Sequence, residues 1–255
     1  MKWYEVPGLN TIRKDIISDE GTLFDYGHGG NDPGCTFVNG TKEKNYNLKL
    51  GKAVYAICSQ YIKITQTRTS DITLGSSTRT NFISKEAKKF KLLNGYSFHV
   101  NAWNKIANGA EVLISVTQNS SSNDFIWASK FLNYYCKEFD LNKRGIVQRK
   151  LNNSNKDYYY LMRDTPSNCK MKIIELFFGD NQSDFDKCYN NIDKIAFFVA
   201  SYILKRHGIE IEKPKTSDIV YKVQAGAFEE EVNAKNLVDR LKQKGFDSFI
   251  KEEKK

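Results

Sequence analysis

The sequence lacks long hydrophobic runs. No apolar stretch in its 255 residues approaches the roughly 18 residues that a transmembrane helix needs. The N-terminal stretch MKWYEVPG does not contain the apolar core of a secretion signal. We therefore expect neither a signal peptide nor a spanning helix. If the target lies outside the membrane, another route must deliver the protein.

Cysteine and proline are also scarce. The five cysteines form no Cys-x-x-Cys pair and no regular spacing, which argues against a disulfide framework and against a zinc site built on cysteine. We interpret them as reduced thiols, mostly in the core. With 4 prolines and 16 glycines, the chain is neither collagen-like nor a proline-rich linker.

Acidic residues are outnumbered by basic ones. Lys and Arg total 39 against 30 Asp and Glu, which gives a formal net charge of +9. Such a surface attracts polyanions, whether nucleic acid, anionic lipid or the teichoic polymers of a Gram-positive wall. The charge is spread along the chain without a long block of one sign, which is not typical of a nucleic-acid-binding tail. We therefore expect no nucleic-acid partner.

Alternating β-rich runs and helical periodicities predict an α/β fold. In the first long helix, Leu50, Val54, Ile57 and Tyr61 recur at spacings of four, three and four and form one buried face. We predict strands at 22–26, 61–67, 96–100, 111–116, 158–162 and 171–178, and helices from 43 onward, at 76–92, 125–139 and 192–205. This alternation implies a twisted, mostly parallel or mixed sheet flanked by helices.

A polar segment divides the chain. Residues 209–219 include one of the four prolines and are interpreted as a linker. The linker separates a main domain at 22–208, which follows a polar lead-in at 1–21, from a small unit at 220–255. The predicted elements of the small unit are a strand at 219–228, a helix at 229–244 and a strand at 246–251, a β-α-β arrangement.

Two of the three histidines lie in unusual settings. His28 sits in a glycine-rich loop directly after the first predicted strand, and His99 lies near the end of another strand. Strand ends are where α/β proteins place their sites. Glu43 lies in the first turn of a helix, where the helix dipole keeps a carboxylate ionised. Two imidazoles and one carboxylate are a donor set typical of hydrolytic zinc sites, which keep one further position for water.

A hydrolytic zinc site also needs a second carboxylate that moves a proton. Glu175 lies inside an apolar predicted strand, where a carboxylate is rarely placed without a partner or a task. Taken singly, these residues have simpler interpretations: a hydrogen-bonded histidine, a surface acid at a helix start, or a glutamate paired with an arginine. We interpret His207, at a helix C-terminus, as structural.

Several stretches of sequence occur in the order seen in a known family. They are Asp25-x-Gly-His28-Gly-Gly-x-Asp32-Pro-Gly34, Glu43-Lys44-x-x-Asn47-Leu48, Thr67-Arg68-x-x-Asp71 with Leu74 and Arg79, Ser97-x-His99-x-Asn101 with Gly109-Ala110-Glu111, and Glu175 with Asn181. This pattern resembles the zinc-dependent N-acetylmuramoyl-L-alanine amidases of type 3 over about residues 22–208. Cys35 stands where the family commonly has Ala, and Phe177-Phe178-Gly179 replaces its Gly-Phe. Neither departure removes a candidate ligand or the candidate base.

The resemblance implies a role for each main candidate. His28, Glu43 and His99 would bind Zn²⁺. Glu175 would act as general base toward water and then as acid toward the leaving amine. The bond cut would be the amide that joins the lactyl group of N-acetylmuramic acid to L-alanine in peptidoglycan.

Four further residues are candidates for supporting roles. We expect Arg68 or Asn101 to help hold the anionic intermediate, with a purely structural role as the alternative. We expect Asp25 or Asp32 to accept a hydrogen bond from the distal N–H of an imidazole ligand, with the capping of a turn as the alternative.

The C-terminal segment resembles the SPOR repeat of cell-wall proteins, which binds peptidoglycan glycan. The resemblance is carried by Val223-Gln224-Ala225-Gly226-Ala227-Phe228, by Asn233-Ala234 and by Gly245-Phe246-Asp247. A full SPOR domain has two β-α-β halves, and this segment supplies one. Because so small a unit buries little surface, we expect it either to pair with the same unit of a second chain or to belong to a chain that has been cut short.

The expected lack of a signal peptide predicts a setting. We expect a phage endolysin, with a mother-cell lysis or autolytic amidase of a spore former as the alternative. Either would be made in the cytoplasm and act at the bacterial cell wall after the membrane is permeabilised, or be secreted by a non-classical route. The competing classes are a non-catalytic wall-binding protein of the same fold and an enzyme of the zinc carboxypeptidase or aminoacylase type.

Overall fold

A computed structural model describes residues 20–212, 224–246 and 248–252, and the first of these ranges is organised around one mixed sheet. Its strands are β1 (Glu20–Tyr26), β2 (Ile64–Gln66), β3 (Leu92–Asn101), β4 (Ala110–Leu113), β5 (Lys143–Val147) and β6 (Cys169–Phe178). They lie in the order β2-β1-β3-β6-β4-β5. Strands β1, β2, β3 and β6 are parallel, whereas β4 and β5 run opposite to β6. The predicted α/β fold with a mixed sheet is confirmed.

Helices flank both faces of this sheet. They are α1 (Glu43–Cys58), α2 (Ser76–Ala87), α3 (Asn123–Glu138), α4 (Tyr160–Arg163), α5 (Gln182–Cys188) and α6 (Ile192–Arg206). The separate C-terminal unit contains α7 (Glu231–Gln243). In the described part of the chain, no helix combines the length and the apolar character that crossing a bilayer requires. The five cysteines are free thiols and four of them are buried, as predicted.

Two hydrophobic cores lie on opposite faces of the sheet. The larger core packs α1, α3 and α6 against one face, through side chains such as Leu50, Phe131 and Val199. The smaller core packs α2 and α4 against the other face, through side chains such as Ile83 and Leu161. The smaller core contains nine buried side chains, so most of the buried hydrophobic residues lie on the face of the larger core.

The side chains of strand β6 alternate between the two faces of the sheet, and those that face the smaller core lead to a carboxylate. Met171 and Ile173 belong to the smaller core, whereas Ile174 and Leu176 belong to the larger one, as strand alternation requires. Glu175 is next in the row that starts with Met171 and Ile173. The carboxylate of Glu175 therefore lies on the same face of β6 as the apolar side chains of Met171 and Ile173.

In the main domain, the strand predicted at residues 158–162 is wrong. Residues 158–162 carry three consecutive tyrosines, a composition with high strand propensity, but the structure forms the short helix α4 there. Local hydrogen bonds outweigh the propensity, because Arg163 Nη1 donates to the carbonyl oxygens of Asp157 and Tyr158 at 3.3 and 2.6 Å and closes a turn.

Two elements were not predicted. Strand β5, with the sequence KRGIV, lies at the sheet edge, and its residues stay partly or fully exposed, so it lacks an apolar signal. Helix α5 is short and mostly polar. Both elements depend on neighbours that are distant in sequence.

The chain forms two compact units that divide between residues 213 and 214. In the C-terminal unit, helix α7 occupies most of the predicted helix 229–244. The predicted strands are wrong where the structure describes them, because residues 224–228, 246 and 248–251 have no strand assignment; residues 219–223 and 247 lie outside the described range.

Lys172 is buried within the larger core. Its Nζ lies 2.9 Å from Asp124 Oδ1, and Arg206 Nη1 lies 3.1 Å from the same oxygen. Burial disfavours the charged ammonium and lowers the pKa of Lys172 to about 8, although the attraction of Asp124 opposes this. A folded-state pKa below the ordinary 10.5 makes the stability of the fold depend on pH.

We expect the wild-type protein to gain stability relative to Lys172→Met as the pH rises from about 8 toward 10.5. In that interval the unfolded lysine binds a proton that the folded lysine has released, so a higher pH favours the folded state by up to ~3 kcal/mol. Urea unfolding of both proteins across this pH range measures the difference. Parallel pH dependences for the two proteins would contradict the prediction.

Candidate active site and metal centre

The candidate residues meet at the carboxyl ends of three parallel strands. His28 follows β1, His99 lies near the end of β3, and Glu175 lies in β6 directly opposite His99 in register. Glu43 is the first residue of α1 and lies over the same edge. The structure thus brings together all four residues that the sequence singled out for chemistry.

His28, Glu43 and His99 form a cluster that can hold a metal ion. Their donor atoms lie within 4.8 Å of one another. The Oε2 of Glu43 is 3.1 Å from Nε2 of His28, and its Oε1 is 3.1 Å from Nδ1 of His99. Donors arranged tetrahedrally at about 2.0 Å around one zinc ion lie ~3.3 Å apart. The donor set and its spacing therefore fit zinc.

The carboxylate of Glu43 is fixed by its surroundings. Its Oε2 accepts a hydrogen bond from the backbone N–H of Cys35 at 3.0 Å, and its Oε1 accepts one from the side chain of Asn47 at 3.0 Å. Burial alone would raise the pKa of Glu43, but the two imidazoles, His28 and His99, hold it well below its ordinary value. Glu43 is therefore an ionised, oriented donor.

The imidazole of His28 is oriented by Asp32. The Oδ2 of Asp32 lies 2.8 Å from Nδ1 of His28, which leaves Nε2 facing Glu43. Burial would lower the pKa of His28, but hydrogen bonds and charge from Glu43 and Asp32 raise it to about 9. A cation entering this site therefore displaces a proton.

The backbone at His28 is left-handed, with φ of 62°, which is uncommon outside glycine. Close packing explains the neighbouring glycines. A Cβ at Gly27 would lie 2.3 Å from the ring of His99, and a Cβ at Gly34 would lie 2.5 Å from Oε2 of Glu43. The glycine-rich sequence of this loop serves the close approach of the three candidate ligands.

Two buried guanidinium groups hold this loop. Arg68 donates from Nε to the carbonyl of Tyr26 at 2.8 Å and from Nη2 to that of Gly27 at 3.0 Å. Arg79 donates from Nη2 to the carbonyl of His28 at 3.0 Å. Three consecutive backbone carbonyls are thereby fixed, and we call Arg68 and Arg79 the arginine cradle.

Asp25 supports the cradle rather than an imidazole. It is buried, pairs with Arg79, and accepts hydrogen bonds from Thr67 Oγ1 at 2.6 Å and from Ser97 Oγ. Burial would raise the pKa of Asp25, but the charge of Arg79 and these hydrogen bonds lower it. Of the two acids expected beside an imidazole, Asp32 occupies that position and Asp25 does not.

Arg68 and Asn101 also have structural partners. Arg68 is buried with its guanidinium bonded to backbone carbonyls, which leaves the expected contact with an anionic intermediate without support. Asn101 Nδ2 donates to Oε1 of Glu111 at 2.9 Å, and its Oδ1 accepts from the N–H of Ala102 at 2.9 Å. Asn101 thus orients the carboxylate of Glu111, which is the register partner of Glu175.

Glu175 has an unpaired carboxylate oxygen. Its Oε2 is buried and has no hydrogen-bond partner within the described part of the chain. Burial raises the pKa of Glu175 to about 7; the His99 imidazole opposes the rise, and the negative charges of Glu43 and Glu111 add to it. A buried acceptor with a raised pKa can exchange a proton with a ligand near neutral pH.

Glu111 is a neighbour whose role sequence reasoning missed. It is the register partner of Glu175 on β4, and Arg144 Nε donates to its Oε2 at 2.8 Å. The sequence signal was the Gly-x-Glu motif, which gave no role by itself. His207, interpreted as structural, has its Nε2 3.1 Å from Oγ1 of Thr22, away from the candidate metal ligands.

Comparison with known proteins follows the two units. Residues 23–204 match the sequence profile of the family described as N-acetylmuramoyl-L-alanine amidase, and residues 217–255 match that of the SPOR domain. The chain is 29% identical over 236 residues to the sporulation-specific N-acetylmuramoyl-L-alanine amidase of Bacillus subtilis (strain 168), which covers 89% of this chain and 83% of that protein.

Solved structures share the fold of the main domain. Cwp6 from Clostridium difficile superposes with a TM-score of 0.65 at 30% identity over 74% of this chain, a match that spans only 29% of the Cwp6 chain. The catalytic domain of CwlV, an N-acetylmuramoyl-L-alanine amidase from Bacillus (Paenibacillus) polymyxa, superposes with a TM-score of 0.60 at 21% identity and covers 75% of this chain and 99% of that one.

We expect Asp25→Asn to lower the free energy of unfolding by about 3–5 kcal/mol, because it leaves the buried guanidinium of Arg79 without a counter-charge. Asp71→Asn is the matched control. Asp71 pairs with Lys44 at a more exposed position, so its loss costs at most about 1 kcal/mol. Urea denaturation measures both changes, and equal losses for the two variants would contradict the role assigned to Asp25.

Proposed function

The chain belongs to the N-acetylmuramoyl-L-alanine amidase family, and on that premise we propose that it hydrolyses, with zinc, the amide between the lactyl group of N-acetylmuramic acid and L-alanine in bacterial peptidoglycan. The observation that carries this proposal is the unpartnered, buried Oε2 of Glu175 beside the donor cluster of His28, Glu43 and His99. A fold kept only for wall binding has no need for such an oxygen, because burying it costs free energy.

His28, Glu43 and His99 are the residues that would hold the ion. Nitrogen donors with one carboxylate suit zinc better than calcium or magnesium, which prefer oxygen ligands. Zinc held there supplies Lewis acidity, which polarises the scissile carbonyl and makes hydroxide available near neutral pH. Asp32 and the arginine cradle keep the donors oriented while substrate binds.

Glu175 is the residue that moves the proton. Its free Oε2 accepts a proton from the attacking water, and the same carboxyl group then gives that proton to the nitrogen of the leaving L-alanine. Because Glu175 lies in a strand of the sheet, paired in register with His99, its backbone is fixed beside the donor cluster during both transfers. Glu111, held by Arg144 and Asn101, favours the protonated form that the second transfer needs.

We expect Glu175→Gln to retain zinc but to lose roughly 10²–10⁴-fold in turnover, because an amide cannot take the proton. We expect His99→Ala to lose both zinc and turnover. The measurements are zinc content by mass spectrometry and the release of free L-alanine amino groups from purified cell wall, with and without chelator.

His207→Ala is the matched control, since this histidine lies outside the cluster and should keep both properties. Release of L-alanine N-termini without new reducing sugar identifies the bond. Full activity of Glu175→Gln, or cleavage of glycan instead of amide, would overturn the proposal.

We propose that the protein lyses the cell wall of the spore-forming bacterium that makes it. The support is the sporulation-specific relative from Bacillus subtilis, whose similarity runs over 89% of this chain. The phage endolysin expected from the sequence stays a prediction without support of its own. Action at the cell wall after the membrane is permeabilised, or after non-classical secretion, likewise stays a prediction.

The C-terminal unit is proposed to bind peptidoglycan as a pair formed with the same unit of a second copy. The support is its match to the SPOR domain and the exposure of its described part, because none of residues 224–246 and 248–252 is buried. Phe228, Val232, Phe246 and Phe249 are exposed. Such side chains need a partner surface to leave water.

We expect the full chain to sediment as a dimer at micromolar concentration and Phe249→Ser to shift it toward monomer, because the exposed ring supplies apolar contact area. Tyr134→Ser, an exposed aromatic of α3 in the main domain, is the matched control and should leave the dimer intact. A wild-type monomer whose C-terminal unit resists protease would contradict the pairing.

A further inference from the structure

A loop beside the site exposes two large hydrophobic side chains. We call residues 102–109, between β3 and β4, the platform loop. The side chains of Trp103 and Ile106 are 69% and 75% exposed, more than any other large hydrophobic side chain described in residues 20–212. A folded protein seldom leaves such a pair in water without a use for it.

Hydrogen bonds hold the platform loop in one conformation. Asp180 accepts from the backbone N–H of Trp103 at 3.3 Å and of Lys105 at 3.0 Å. Asn104 Oδ1 accepts from the N–H of Ile106 at 3.1 Å, and Asn181 Nδ2 donates to the carbonyl of Ile106 at 3.2 Å. The exposed side chains are thus presented by a rigid backbone.

The loop also stores backbone strain. Asn104 and Lys105 are consecutive residues in the left-handed region, with φ of 51° and 60°. Asparagine tolerates this region, but it is unfavourable for lysine. Strained backbone conformations that the surrounding structure holds in place concentrate at functional sites. Here the two strained residues lie between the exposed side chains of Trp103 and Ile106.

The platform loop lies at the same sheet edge as the candidate metal ligands. Trp103 follows His99 by four residues, so their Cα atoms are at most about 14 Å apart. Asp180, which anchors the loop, follows Glu175 by five residues, and Asn101 pairs with Phe178 where both strands end. A polymer bound at the site therefore has this loop within reach.

We propose that the platform loop binds the glycan strand, with the indole of Trp103 stacked on the pyranose ring next to the muramic acid whose amide is cut. This inference rests on the proposed function, because that function brings the glycan to this edge. An indole offers a broad, rigid apolar face with little entropy to lose, and the C–H face of a sugar ring matches it. Ile106 extends the same apolar surface.

The glycan is a better occupant than the stem peptide. Stem peptides carry free carboxylates, which are recognised by the arginine fork or the lysine ammonium rather than by flat apolar surfaces. Lys105 is the single cation of the platform loop. Two apolar side chains and one cation on a rigid backbone favour the uncharged faces of sugar rings.

Tryptophan emission reports this contact directly. The chain has three tryptophans and the C-terminal unit has none, so glycan bound by that unit does not alter indole emission locally. In a full-length Trp3→Phe background, the exposed Trp103 and the buried Trp127 remain. The probe is a stem-free glycan strand of alternating N-acetylglucosamine and N-acetylmuramic acid, which contains no scissile amide.

We expect saturable quenching or a blue shift on titration, and we expect Ile106→Ser to raise the measured Kd several-fold. Calorimetry also reports any glycan bound by the C-terminal unit, so Trp103→Ala should show one class of sites weakened about tenfold while any other class is unchanged. Tyr134→Ala, an exposed aromatic on α3 whose ring lies beside Tyr202 of α6, is the matched control and should bind as the wild type does. Unchanged emission, or equal affinity of the wild type and Trp103→Ala, would overturn the proposal.

Kinetics separate this inference from the proposed function. Trp103→Ala should lose more in kcat/KM on glycan polymer than on N-acetylmuramoyl dipeptide, which lacks the neighbouring sugar, and the loss should fall on KM. Equal losses on both substrates would overturn the stacking role. If the wild type cleaves neither substrate, the proposed function fails, while the emission titration still decides whether the platform loop binds glycan.

Discussion

The site depends on the hydrogen bonds that fix the backbone around His28. This residue is left-handed, and the carbonyls of Tyr26, Gly27 and His28 accept from the buried guanidiniums of Arg68 and Arg79. Asp25 neutralises Arg79, and because Asp25 also binds Ser97 of β3 and Thr67 after β2, three strand ends are tied to one loop. The candidate ligands can converge because this network holds His28 in a left-handed backbone conformation that sterics alone would not favour.

Three carboxylates at this edge, two of them buried and the third half-buried, are given different properties by their surroundings. Asp25 is paired with a guanidinium, so it stays ionised and structural. Glu43 lies between two imidazoles, which suits a donor to a cation. Glu175 has an oxygen with no partner and a pKa raised to about 7 by burial, which suits proton transfer. Placement, rather than residue type, gives these acids their different properties, which match the structural, metal-binding and proton-transfer roles proposed for them.

Much of this arrangement could be predicted from the sequence. His28, Glu43, His99 and Glu175 stood out because glycine-rich loops, helix starts and apolar strands make such residues conspicuous, and their order matched a family. The pairing of Asp25 with Arg79 could not be read, because it joins residues far apart in the chain. Residues 158–162 were misassigned because hydrogen bonds from Arg163 to nearby backbone carbonyls outweigh the strand propensity of the three tyrosines. Strand β5 was missed because an exposed edge strand has no apolar pattern.

The most direct measurement of the central claim is a crystal structure of the zinc-loaded full chain, with anomalous scattering recorded at the zinc edge. We expect one ion, bound by Nε2 of His28, the carboxylate of Glu43 and Nδ1 of His99, with Oε2 of Glu175 facing its open position. An ion bound elsewhere, or a Glu175 side chain turned away from the ion, would contradict the assignment of these residues.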